Sequence, residues 1–114
     1  MTPDDPIIGV VGPCASGKST LVADLNSRNI QARHIAQEHS NVRDMWKQIS
    51  NPDLLIYLDV SFEVSLARTG TTWTRSIFQN QVARLEHARE HADIYIQTDD
   101  LTPEQVLNQI LEYL

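Results

Sequence analysis

The sequence predicts an α/β fold: a small parallel sheet with helices on both faces. Two observations predict it. Short apolar runs alternate with stretches of helical periodicity along the chain, the pattern that gives strand, crossover helix and parallel strand. A glycine-rich loop joins the first apolar run to the first helical stretch, the junction at which α/β sheets carry their ligands.

Ile7-Ile8-Gly9-Val10-Val11 reads as a buried strand, and the helical pattern that follows the loop places Leu21, Val22 and Leu25 on one face. After a polar break at Asn26-Ser27-Arg28-Asn29, Ile30 to Ala36 is a modest second strand. Val42, Met45, Trp46 and Ile49 recur at i, i+3, i+4 and i+7. This spacing predicts a helix capped by Ser40 or Asn41 and ended by Asn51-Pro52. Leu54 to Leu58 is the clearest buried strand. Ser61 then caps a helix to about Arg68, and Thr69-Gly70-Thr71-Thr72 breaks it. The next helix turns Phe78, Val82, Leu85 and Ala92 inward, and Ile94-Tyr95-Ile96 is the fourth strand. Thr102-Pro103-Glu104-Gln105 is a capping box with proline at the first helical position. The final helix is expected to bury Val106, Leu107, Ile110, Leu111 and Leu114.

Residues 1–114 are expected to form one domain. A net charge of −6 without any basic cluster argues against nucleic acid as a partner. The lone cysteine, Cys14, excludes an internal disulfide. No apolar stretch approaches the about 20 residues that span a bilayer. The polar start Met1-Thr2-Pro3-Asp4-Asp5 lacks a signal-peptide pattern, so a cytoplasmic protein without membrane partners is expected.

The loop Gly12-Pro13-Cys14-Ala15-Ser16-Gly17-Lys18-Ser19-Thr20 matches G-x-x-x-x-G-K-[ST] in the strand–loop–helix context that the motif requires. Its backbone N–H groups and the helix N-terminus converge on one spot and favour an anion there. In this motif the lysine, Lys18, reaches the β- and γ-phosphates of a nucleoside triphosphate, and the hydroxyl, Ser19, holds Mg²⁺. The other strand ends at the same sheet edge nominate the rest of the site. Glu38 ends the second strand and Asp59 the third, so both are candidates to support the metal. Each also reads as an acid that stabilises the next helix N-terminus. Arg68 and Arg75 bracket a polar segment, residues 69–74, that reads either as a small lid over nucleotide or as a solvated loop. Trp73 within it is a packing residue or an aromatic platform. Cys14 is either passive, because the backbone does the binding, or a thiol activated by the helix N-terminus. His87-Ala88-Arg89-Glu90-His91 matches an inverted zinc-protease motif, but no third ligand follows it, and its histidines suit a helix C-terminus.

Three stretches resemble the nucleoside and nucleotide kinase group of P-loop proteins. Gly9 to Leu21 is similar to their first strand and loop. Pro52 to Ser61, with Glu63-Val64 and Leu66-Ala67-Arg68, resembles the thymidylate-kinase-type strand, turn and helix. Ala92 to Val106 resembles the closing strand and helix of shikimate- and dephospho-CoA-kinase-like proteins. The resemblance implies a three-layer P-loop NTPase fold, ATP (or GTP) with Mg²⁺, and Lys18, Arg68 and Arg75 around the phosphates. It also implies Thr98, Asp99 and Asp100 near the base. Glu38-His39-Ser40 stands where relatives carry an acid followed by arginine. The chain lacks the acceptor-binding insertion of those kinases, since only about ten residues separate the first helix from Glu38. The second strand is therefore expected directly beside the first, giving the order 2-1-3-4, all parallel. Two functions stay open. One is an ATP-dependent phosphotransferase acting on a small-molecule acceptor, with Glu38 as a candidate general base and a second copy or partner protein completing the pocket. The other is a nucleotide-binding regulatory module or slow NTPase with no acceptor.

Overall fold

Four parallel strands lie in the order β2-β1-β3-β4 in the computed structural model, which describes residues 5–70 and 74–114. The strands are β1 (Ile8–Val11), β2 (Ala32–His34), β3 (Leu54–Asp59) and β4 (Ile94–Gln97). The helices are α1 (Lys18–Ser27), α2 (Phe62–Thr69), α3 (Arg75–Arg84), α4 (Glu86–His91) and α5 (Pro103–Tyr113). The expected order is thus observed. The register runs Gly9 beside Arg33 and Leu55, and Tyr57 beside Tyr95.

Period-two alternation on the central strands divides the core into two layers. Ile8, Val10, Ile56 and Leu58 face Leu21 and Leu25 of α1 and Val106, Leu107 and Ile110 of α5. Val11, Leu55 and Tyr57 face Trp46, Leu85 and Ala88 on the opposite side. Three layers result, with every strand's carboxyl end on one edge.

Two helix starts are capped as the sequence predicts. Ser61 Oγ accepts from the Val64 N–H, and Thr102 Oγ1 accepts from the Gln105 N–H while the Gln105 side chain accepts from the Thr102 N–H. Three expectations fail. The helix over 42–49 is replaced by a single π-helical turn, Trp46–Ser50. Trp46 alone of the predicted face is fully buried, while Val42 is 51% and Ile49 75% exposed. The buried Gln37 side chain is the reason. It accepts from the Trp46 N–H and donates to the Val42 carbonyl, and Ser40 Oγ accepts from the Val42 N–H. These bonds offer the backbone an alternative to the helical ladder. The long helix after the polar segment is divided at Leu85 into α3 and α4. Leu114 lies beyond the end of α5 and is 55% exposed rather than buried. Residues 71–73, including Trp73 and most of the suggested lid, lie outside the described residues.

Candidate functional site

The loop between β1 and α1 is shaped by two glycines. Gly12 has φ +156°, and a Cβ there would run into the Leu58 carbonyl oxygen of the neighbouring strand. Gly17, at φ +100°, is the N-cap of α1 and leaves that end with no side-chain cap. No acid occupies the first turn of α1. The positive end of the helix and its leading N–H groups therefore meet neither a side-chain cap nor a first-turn acid.

Lys18 folds back over this loop. Its Nζ donates to the carbonyls of Gly12 at 2.6 Å and Pro13 at 3.0 Å and pairs with Glu38 Oε2 at 2.8 Å. Both residues of the pair are buried, Lys18 at 5% and Glu38 at 2% exposure. Glu38 arrives from a 3₁₀ turn, Gln37–His39, that follows β2 rather than from the strand itself. Its second oxygen, Oε1, is buried with no hydrogen-bond partner, as is Ser16 Oγ. A half-satisfied buried carboxylate is costly, and Oε1 keeps the capacity to accept a hydrogen bond or meet a cation.

Two cavities flank the N-terminus of α1 and share Ala15, Gly17 and Thr20. One, of about 290 Å³, is lined by Cys14, Lys18, Ser19, His34 and Glu38 among others. Burial and the neighbouring Lys18 ammonium hold His34 below the usual imidazole value. The other, of about 170 Å³, is lined by Leu21, Arg68, Thr98, Leu101, Pro103 and Val106 in addition to the loop. Arg68 spans its mouth, donating to the Ala15 carbonyl at 2.9 Å, to Thr98 Oγ1 at 3.1 Å and to the Thr98 carbonyl at 2.7 Å.

The nominated residues thus separate. Lys18, Ser19 and Glu38 line one cavity and Arg68 the other. Asp59 lines neither. Its Oδ1 accepts from the Val60 N–H and its Oδ2 from the Tyr95 hydroxyl, whose pKa is pushed up to about 12 by burial and by that carboxylate. Arg75 lines neither cavity and rests against α2, donating to Glu63 at 2.9 Å and lying over the Phe62 ring. Asp99 accepts from the Ser61 N–H and fixes the start of α2.

Several residues that position the loop had no mark in the sequence. Gln81 of α3 accepts from the Cys14 N–H and donates to Cys14 Sγ, and Ser65 of α2 donates to the Cys14 carbonyl. Both are buried, but glutamine and serine on a helix read as surface residues until the tertiary partner is known. The histidines of the zinc-protease-like string serve packing. The Trp46 Nε1–H donates to His87 Nδ1, and the His87 and His91 rings stack 4.2 Å apart.

Among the described residues, no helix is long and apolar enough to cross a membrane. The sheet topology and the buried Lys18–Glu38 pair beside the first helix are consistent with a nucleotide-binding, P-loop-like fold in general. No protein-family model matches this chain, and no curated protein matches it.

Proposed function

We propose that residues 1–114 form one nucleotide-binding unit that takes ATP or GTP with Mg²⁺ and acts as a kinase-like phosphotransferase on a small molecule. One observation carries the reading. The uncapped N-terminus of α1, Lys18 and Glu38, whose Oε1 has no hydrogen-bond partner, all border one cavity at the carboxyl edge of the sheet.

The phosphates would occupy that cavity, held by the leading N–H groups of α1 and by Lys18, whose charge counters theirs. Arg68, Thr98, Leu101 and Pro103 line the adjoining cavity, which suits the base, and Arg68 would stand between the base and the phosphate loop it bonds at Ala15. Ser19 and Glu38 fit Mg²⁺, because Ser19 opens the helix and Glu38 keeps a free oxygen. When bound, the ion would neutralise charge on the phosphate oxygens. Both oxygens of Asp59 are already engaged, which favours Glu38 of the two carboxylates. As an alternative to holding the ion, the Glu38 carboxylate would accept the proton of an acceptor hydroxyl.

A second reading has its own support. The connection from α1 to Glu38 holds only the short strand β2, which pairs directly with β1, so no acceptor-binding insertion separates them. A regulatory nucleotide-binding module or slow NTPase needs none. Calorimetric titration of ATP and GTP with Mg²⁺ into the protein and Lys18→Ala tests the shared claim. Saturable binding lost in the variant is expected, and equal binding in both refutes it. Product analysis then divides the readings: a phosphorylated acceptor from a metabolite mixture marks a kinase, whereas inorganic phosphate alone marks an NTPase.

A further inference from the structure

The loop carries chemistry that phosphate binding does not use. Among the described residues, Cys14, Glu38 and His39 form a group of three metal-ligating side chains, with donor atoms all within 4.8 Å of one another. We propose that they form a site for a zinc-class divalent cation, which would take up the Glu38 carboxylate in place of Mg²⁺. The proposal does not rest on the nucleotide reading.

The donor set decides the class of ion. A thiolate, an imidazole and a carboxylate make a three-ligand arrangement that suits Zn²⁺, with a fourth position left for water. Thiolate disfavours Mg²⁺ and Ca²⁺, which take oxygen ligands. Each donor has a local reason to be available. Glu38 is 2% exposed, with Oε2 paired to Lys18 and Oε1 without a hydrogen-bond partner, so coordination through Oε1 would remove an existing deficit. Cys14 is pinned through its backbone by Gln81 and Ser65. The Gln81 side-chain amide also donates to Sγ, an outer contact that orients the sulfur. His39 has an exposed side chain, and its Nε2 lies 3.9 Å from Glu38 Oε2. Ligand atoms on a tetrahedral zinc ion sit roughly 3.3–3.8 Å apart, given bond lengths of about 2.0–2.3 Å. The gathering therefore has to tighten by about 1 Å, and the exposed imidazole is the part that is free to move. Binding replaces the S–H bond of Cys14 with a metal–sulfur bond and releases the proton to solvent.

The test uses the full chain, reduced and metal-free, titrated with Co²⁺ followed by absorbance and with Zn²⁺ followed by calorimetry. One equivalent is expected to bind, with a thiolate-to-cobalt charge-transfer band and proton release. Cys14→Ser should abolish the band, and His39→Ala, at an exposed side chain, should weaken Zn²⁺ binding at least about 10-fold. Absence of the band overturns the proposal, as does His39→Ala binding as tightly as the parent. Loss of binding in His87→Ala, with Cys14→Ser unaffected, would place the ion on the stacked histidine pair and overturn it equally.

Discussion

Replacing Lys18 by methionine should destabilise the fold far more than an ordinary lysine substitution. Lys18 is the cationic partner of Glu38 Oε2, and both residues are almost wholly buried. The stem volume is conserved, so the principal change is the loss of positive charge. Glu38 then keeps an unpartnered Oε1 and loses the cationic partner of Oε2, with the exposed His39 imidazole 3.9 Å away. Breaking a buried pair from one side costs about 3–5 kcal/mol, against a total stability of about 5–15 kcal/mol. With a urea slope of about 1–3 kcal/mol per molar, the unfolding midpoint should fall by about 2 M at unchanged slope. Removing both charges, in Lys18→Met with Glu38→Leu, should recover much of that loss, because the penalty lies in the stranded carboxylate. A coupling of about 1–3 kcal/mol is expected from the double-mutant cycle. Urea unfolding of the four proteins at neutral pH gives the answer. A Lys18→Met midpoint within about 0.3 M of the parent, or a double variant no better than the single, would refute the argument that this pair is buried and mutually compensating.

Gly12→Ala should lower stability by about 3 kcal/mol, read as a fall in Tm on the order of 10 °C. The added Cβ meets the Leu58 carbonyl oxygen and the backbone stands at φ +156°; an unchanged Tm would contradict that close approach. Gln37→Leu should cost about 1–3 kcal/mol, because it strands the buried Trp46 N–H, and should alter the environment of the Trp46 indole. Unfolding curves and the indole N–H resonance check both halves. For His34, burial and Lys18 hold the folded-state pKa below the ordinary value of 6.5, with Glu38 opposing and His39 reinforcing. The unfolded chain therefore binds the proton more readily, so this stability is present above pH 6.5 and is lost as pH falls through the folded value. His34→Gln should lose less stability than the parent between neutral and mildly acid pH; equal losses would show that His34 takes no part.

Much of the frame was legible before any coordinates. The connection too short for another strand predicted β2 beside β1, and both Ser61 and the Thr102–Gln105 box cap the helices they introduce. The loop motif identified the cavity-lining residues Lys18 and Ser19, and strand-end position brought Glu38 to them. Position alone did not separate Glu38 from Asp59, or Arg68 from Arg75. That separation depends on neighbours far along the chain: Tyr95 and Val60 take up Asp59, Thr98 and Ala15 hold Arg68, and Glu63 with Phe62 retains Arg75. The failed helix over 42–49 has the same origin. Its periodicity was satisfactory, but a buried glutamine outside it supplied competing hydrogen bonds.

Apolar periodicity, capping chemistry and connection length are properties of neighbouring residues, and for this chain they determined the layers, the strand order and the loop that faces the open edge of the sheet. The pairing of Lys18 with Glu38, the anchoring of Cys14 by Gln81 and Ser65, and the unpartnered Glu38 oxygen were decided only by tertiary structure. A buried polar group must be satisfied by whatever the fold brings within hydrogen-bond reach, and local sequence carries no record of that distance.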